Sequence, residues 1–300
     1  MKTVKHITIF FLLVLLLTNC NIQNPSSSKE FSIGIVSDCQ YCDCEIKWDR
    51  YFKKSPERLR QAVEELNKHD LEYTIHLGDF IDKEFKSFDS ILPTWNLLKS
   101  KSYHVLGNHD FDVADSLKPF IAEKMGLKKR YYSFEVGNWK FIVLDGTDLS
   151  TYGSEVSKQK EADNMLLVKE KDSLPYAMFY NGGLSSEQIK WVKSELELSK
   201  NNNQNVGFYC HFPANPIDNH NFWNVNEFNQ LTKNYPNVKV FMNGHNHAGS
   251  YLEKDGIHYI TFKGMVDTEN ESAFATATFT KDSILIKGFG REINRSLKIN

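Results

Sequence analysis

Five short apolar runs, each ending in a polar motif, constrain this chain more than any other feature. Phe31 to Ser37 leads into Asp38-Cys39-Gln40, Tyr73 to Leu77 into Gly78-Asp79, and Tyr103 to Leu106 into Gly107-Asn108-His109-Asp110. Val206 to Cys210 leads into His211, and Val238 to Met242 into Gly244-His245-Asn246-His247. Runs of this length and composition read as buried strands. Strand ends on one rim of a sheet converge in space however far apart they lie in sequence. Carboxylate, amide and imidazole gathered at such a rim are donors that divalent first-row metals accept.

Between the runs lie helices. Ser55-Pro56-Glu57 is a helix start, with a cap, a proline in the first turn and an acid beside it; Leu59, Ala62, Val63 and Leu66 follow at helical spacing. A second helix is expected over Ile91 to Lys99, kinked near Pro93. The β-α-β-α-β order favours a parallel sheet. Tyr131 to Val136 and Trp139 to Leu144 form a hairpin about Gly137-Asn138. Thr151 to Pro175 has no clear period and reads as a surface loop. Helices are expected from Ser185 and over Val225 to Leu231. After His247 the pattern is almost wholly β, in runs at Tyr251 to Leu252, His258 to Phe262, Ala273 to Phe279 and Ile284 to Lys287. The expected fold is α/β, two sheets flanked by helices, in one domain over 31–300.

Composition narrows the partners. The chain has 300 residues, 41% apolar and 25% charged, with a net charge of −2. That balance describes a globular protein and carries no basic footprint for nucleic acid. A monomer is expected. Lys2 and Lys5 precede an apolar stretch from Ile7 to Leu17, too short to span a bilayer comfortably. Leu17-Thr18-Asn19-Cys20 then resembles a bacterial lipoprotein signal, which implies removal of 1–19, a lipid on Cys20 and attachment to the cell envelope. An ordinary secretory signal or an uncleaved anchor is the alternative. Residues 20–30, polar with Pro25 and three serines, read as a tether. Cys39, Cys42 and Cys44 read as buried or loop thiols, because Cys42 and Cys44 stand too close for an easy bridge. Cys210, inside an apolar strand, reads as core.

The motifs suggest their own geometry. Residues i and i+2 of extended backbone share a face, so Asp38 and Gln40 are expected to grip one ion as the first strand ends; His245 and His247 are again two apart. Asp79 has two oxygens and can bridge two ions. Asn108 offers a neutral amide oxygen. Any one of these motifs alone is ordinary turn chemistry; their joint occurrence at strand exits points to metal.

The order Asp-x-Gln, Gly-Asp, Gly-Asn-His-Asp, His, Gly-His-x-His resembles the calcineurin-like metallophosphoesterase superfamily, which has a four-layer α-β-β-α sandwich of two mixed sheets. That family usually carries histidine where this chain has Gln40. The substitution is similar to the manganese-dependent ADP-ribose/CDP-alcohol diphosphatase branch, as are Gln40-Tyr41-x-Asp43, Asn67-Lys68-His69, Asn181-Gly182-Gly183 with Gln188 and Trp191, and Gly288-Phe289-Gly290-Arg291. The resemblance implies one ion on Asp38, Gln40, Asp79 and His247 and a second on Asp79, Asn108, His211 and His245. It further implies a water or hydroxide shared by the ions as nucleophile, His109 near the leaving group, and Asp110 orienting His109. Gln40 makes the first site richer in oxygen, favouring Mn²⁺, with Mg²⁺ or Fe as alternatives, over Zn²⁺.

The implied substrate is a small nucleotide-type diphosphate, such as ADP-ribose, CDP-choline or CDP-glycerol. Tyr41, beside Gln40, is a candidate for contact with it, and Asn181 lies in a family-matching segment. Phe212, Phe222 and Trp223 either stack on a base or pack in the core. Rival readings are a phosphodiesterase or phosphomonoesterase on the same scaffold, or a lipid-anchored protein that binds metal without catalysis.

Overall fold

The computed structural model describes residues 30–299. The expected signal over 1–19, Cys20 and all of the tether but Glu30 lie outside the described residues. The first apolar run forms β1 (Phe31–Val36), buried from Ile33 onward. It pairs in parallel with β2 (Tyr73–His76), which pairs in parallel with β3 (Lys101–His104). The hairpin expected about Gly137-Asn138 is β4 (Tyr132–Val136) and β5 (Trp139–Val143). Then come β6 (Asn205–Tyr209), β7 (Val238–Asn243), β8 (Ser250–Lys254), β9 (Ile257–Thr261), β10 (Ala273–Phe279), β11 (Ser283–Gly290) and β12 (Arg295–Lys298). Among the described residues they make two mixed six-stranded sheets, ordered β12-β11-β10-β1-β2-β3 and β4-β5-β6-β7-β9-β8.

The sheets face each other across Ile33, Ile35, Ile75, Phe141, Val143, Val240 and Met242. Helices α1 (Ser55–Leu66) and α2 (Ser87–Trp95) cover the outer side of the first sheet through Leu59, Val63, Leu66, Ile91 and Trp95. After the short α3 (Ile121–Lys124) and α4 (Gln159–Lys171), α5 (Ser186–Asn201) and α6 (Val225–Thr232) cover the second sheet through Val192, Leu196, Val225 and Phe228. Each such side chain taken from water stabilises by about 1.5–3 kcal/mol. This is the expected four-layer sandwich.

Three local expectations are corrected. The helix expected over Ile91 to Lys99 is α2, which starts at Ser87 and ends at Trp95. Pro93 lies inside its last turn, and the chain leaves the helix at Asn96, whose N–H still reaches Leu92 O. The loop expected over Thr151 to Pro175 contains α4, of which only Ala162 and Leu166 are buried. So narrow a buried stripe leaves little period to read, although its alanine, leucine, lysine and glutamate favour helix. Cys42 and Cys44 form a disulfide. The irregular backbone sets their Cα atoms 5.2 Å apart, within bridging range.

Candidate metal centre

The motifs follow strands of both sheets, β1, β2 and β3 of the first and β6 and β7 of the second, so the site forms where the two sheets meet and not on the rim of a single sheet. The motif residues are not extended. Asp38, Gln40, Asp79 and His245 all adopt left-handed backbone, with φ of 52°, 45°, 57° and 69°. Asp38 and Gln40 therefore meet through two sharp turns, not through strand periodicity. Such conformations cost free energy in non-glycine residues and concentrate at functional sites. Gly78 supports them with φ +97°; a Cβ there would lie 2.5 Å from His211 Nδ1. Two short apolar loops thus approach closely enough for Asp79 and His211 to meet.

The structure brings together all seven expected ligands. Asp79 Oδ2 lies 3.1 Å from His211 Nε2 and 3.0 Å from Gln40 Nε2. Asn108 Oδ1 lies 3.2 Å from His211 Nε2. His247 Nε2 lies 3.3 Å from Asp38 Oδ1 and 3.1 Å from Gln40 Nε2. Ligand-type atoms of Asp79, His211 and His245 all fall within 4.8 Å of one another. A second such trio, Asp82, His109 and Asp112, stands nearby, but its inner members already touch as a His109 Nδ1–Asp82 Oδ1 pair at 2.7 Å.

Each imidazole has one nitrogen held by the protein and the other turned into the cluster. His211 Nδ1 donates to Leu77 O (2.9 Å), His247 Nδ1 to Asp267 Oδ1 (2.8 Å) and His245 Nε2 to Asn181 Oδ1 (2.9 Å). Fixing the far nitrogen sets the tautomer that leaves the near one free for a cation. Asp267 is steadied in turn by Arg58, whose guanidinium donates to the carbonyls of Met265, Val266, Asp267 and Thr268.

The electrostatics also fit a cation. Burial opposes charge on His211, yet Asp79 outweighs it and lifts the pKa to about 9. Burial likewise opposes charge on His247, and Asp38 and Asp267 lift it to about 9. Burial would raise Asp79, but His211 and His109 hold it well below the usual carboxylate range. Gln40 Oε1 is buried and has no hydrogen-bond partner. An orphaned buried oxygen costs about 1–3 kcal/mol; turning the amide over would exchange it with Nε2, which faces Asp79 Oδ2 and His247 Nε2, and present it to a hard cation there.

The expectation for Asp110 is corrected. Its carboxylate does not orient His109. It accepts from the backbone N–H groups of Phe80 (2.8 Å), Gly107 (2.9 Å), Asp79 (3.2 Å) and Ile81 (3.2 Å), tying the second and third motifs together. Asp82 orients His109 instead. Burial disfavours charge on His109, but Asp79 and Asp82 outweigh it and raise its pKa. Its Nε2 faces a cleft of 580 Å³, with Arg50 Nη1 3.3 Å away.

The substrate candidates fare differently. Phe212 and Trp223 are fully buried. Phe212 packs edge-on against His245 at 4.7 Å, and Trp223 Nε1 donates to Met178 O. Phe222 is also core. Tyr41 packs with the cluster beneath the first sheet, bridged to Ile81, and does not line the cleft. Asn181 is buried and serves His245. The rings that do line the cleft are Trp48, Phe111, Tyr152, Phe179 and Tyr180, with Arg50 and Lys118 among them. Trp48 and Phe179 are 74% and 71% exposed, which core-seeking logic cannot anticipate. A tryptophan set in the polar run Lys47-Trp48-Asp49-Arg50 was the available signal for Trp48.

Known proteins resemble this chain over most of its length. The chain is 29% identical to the manganese-dependent ADP-ribose/CDP-alcohol diphosphatase of Mus musculus, over 91% of this chain and 95% of the relative. It is 27% identical to the protein of that name from Homo sapiens, over 91% and 94%. A crystal structure of a dimetal phosphatase from Danio rerio, 26% identical, superposes with a TM-score of 0.80 over 90% of this chain and 99% of that one. The profile of the calcineurin-like phosphoesterase family matches residues 31–249, well over half of the sequence, and the chain belongs to that family of metal-dependent phosphoesterases.

Proposed function

We propose that this protein is a dinuclear-metal hydrolase that cleaves the diphosphate bond of nucleoside diphosphate derivatives such as ADP-ribose or CDP-alcohols. The observation that carries this reading is Gln40, standing where the family usually has histidine, with its side-chain amide against Asp79 and His247 in the ligand cluster. Full-length similarity to the diphosphatases supports the substrate class.

Asp38, Gln40, Asp79 and His247 would hold one ion, and Asp79, Asn108, His211 and His245 the other. When bound, the pair neutralises charge on the diphosphate and activates water. The chain's own residues do the rest. Arg50 and Lys118 draw the anionic diphosphate into the cleft. Trp48 and the rings around it offer faces on which a base can stack. His109, with Nδ1 held by Asp82, presents Nε2 toward the leaving oxygen and donates a proton there. The leader reading adds a bacterial cell-envelope location through lipid on Cys20.

A metal-supplemented panel of ADP-ribose, CDP-choline, CDP-glycerol, a cyclic nucleotide and a phosphomonoester, with product identification, tests the substrate. The expected products are a nucleoside monophosphate plus a phosphorylated alcohol or sugar, with Mn²⁺ giving the fastest turnover. Release of inorganic phosphate alone, or best activity with Zn²⁺, counts against the reading.

Metal binding should release protons. With pKa values near 9, His211 and His247 are protonated at neutral pH in the metal-free protein. A cation must displace those protons, so affinity climbs as pH rises toward 9 and flattens above it. Calorimetric Mn²⁺ titrations in buffers of different ionisation enthalpy should report proton release at pH 7; heats independent of buffer would contradict it.

A further inference from the structure

We infer that the Cys42–Cys44 disulfide is a thiol–disulfide exchange site whose redox state sets the activity of the adjoining centre. The bridge lies two residues beyond Gln40. Cys42 is fully buried, and its Sγ lies 3.9 Å from Asp82 Oδ2, the carboxylate whose other oxygen holds His109 Nδ1. Cys44 is only partly buried, so a dithiol reductant can reach it. Backbone bonds run from Tyr41 N to Phe80 O and from Asp82 N to Tyr41 O, so this turn is laced to the Asp79–Asp82 segment. Just beyond it, Lys47 and Arg50 close a tight turn that presents Trp48 and Arg50 to the cleft.

The exchange balances with a dithiol. One thiolate attacks Cys44 Sγ, forming a mixed disulfide as the bond to Cys42 breaks and Cys42 takes up a proton. The second thiol of the reductant then displaces Cys44 and closes its own disulfide. Two electrons and two protons pass to the protein. Two things change at the centre. The bridged sulfur of Cys42 has no proton, whereas the reduced thiol can donate to Asp82 Oδ2 and so weaken the hold of Asp82 on His109. The small ring that fixes the start of the Trp48 loop is also opened. Cys39 and Cys210 are free and fully buried, which leaves the bridge, reached through the partly buried Cys44, as the accessible sulfur among the described residues.

The effect on turnover rests on the role proposed for His109; the chemical accessibility of the bridge does not. The test treats the folded protein with dithiothreitol, removes the reductant, and alkylates without denaturant. Mass spectrometry should find Cys44 labelled only after reduction. The kcat for bis(4-nitrophenyl) phosphate or the best nucleoside diphosphate should fall about tenfold, the range seen when a partner of a catalytic group is perturbed. Oxidised glutathione should restore it. Cys44→Ser should show the low rate with or without reductant, while Mn²⁺ affinity stays that of the oxidised protein. If turnover is absent in both states, the hydrolase reading fails on its own, and tryptophan emission then decides: a change on reduction that Trp48→Phe removes supports the switch. A bridge that resists reduction in the folded protein, equal turnover in both states, or, in an inactive protein, unchanged emission would overturn it.

Discussion

Replacing Asp79 with asparagine is expected to cut turnover by more than about 10³-fold while leaving the circular dichroism spectrum unchanged. Its Oδ2 stands 3.0 Å from Gln40 Nε2 and 3.1 Å from His211 Nε2, between the two proposed ligand sets, and its Oδ1 accepts from the His109 amide at 2.8 Å. The ligand set holds two carboxylates, Asp38 and Asp79, against the charge of two dications. Removing one halves the anionic charge and removes the sole side chain assigned to both ions. Folding survives because the replacement keeps its shape. His211 owes its raised pKa to Asp79. It becomes neutral in the variant and leaves no uncompensated buried cation. Calorimetry should find the pair of Mn²⁺ ions bound far more weakly than in the parent. Two ions bound with parental affinity, or turnover close to the parent's, would refute the bridging assignment.

The ligand set was legible in the sequence because the motifs follow short apolar runs, most of which are buried strands; β3, before Asn108, is largely exposed and ends at His104, not at Leu106. Hydrophobic period fixes where such strands end, and topology then makes their ends neighbours. The reason given for Asp38 and Gln40 was nevertheless incomplete. They meet through left-handed turns, which no periodicity encodes. Partners of the ligands were harder to read. Asp267 reaches His247 from a loop that Arg58 secures through carbonyl oxygens, and backbone acceptors leave no trace in side-chain pattern. Of the family-matching residues, Gln40 and Asn181 belong to the site, and three others serve the scaffold. Asn67 joins Leu97 and Lys99, Gln188 joins Asp145 and Asp148, and Arg291 donates to Gly264. The cleft rings were missed because buried and exposed aromatics look alike in sequence. Phe212 and Trp223 adjoin a motif yet pack inward, whereas Trp48 and Phe179 come from loops whose course depends on the whole fold.

The different positions of Asp82 and Asp110 lead to opposite expectations for two carboxylates near the same histidine. His109→Ala should lower kcat by about 10²–10⁴-fold with both metals retained, because it removes a proton donor and no ligand. Asp82→Asn should lower kcat by about 10–10²-fold, because an amide still touches His109 Nδ1 at the 2.7 Å contact but no longer stabilises its charged form. Its stability should change little. Asp110→Ala should act mainly on folding. Burial and the charge of Asp79 push Asp110 upward, but the amides of Phe80, Gly107, Asp79 and Ile81 converge on its oxygens. Stripping their shared acceptor leaves buried N–H groups unpaired at about 1–3 kcal/mol each where no water enters, so chemical denaturation should shift by several kcal/mol. A metal-saturated Asp110→Ala sample should regain much of its turnover, since the ions hold the same loops together. The reverse pattern, with Asp82→Asn unstable but fully active and Asp110→Ala stable but inactive, would return the orienting role to Asp110.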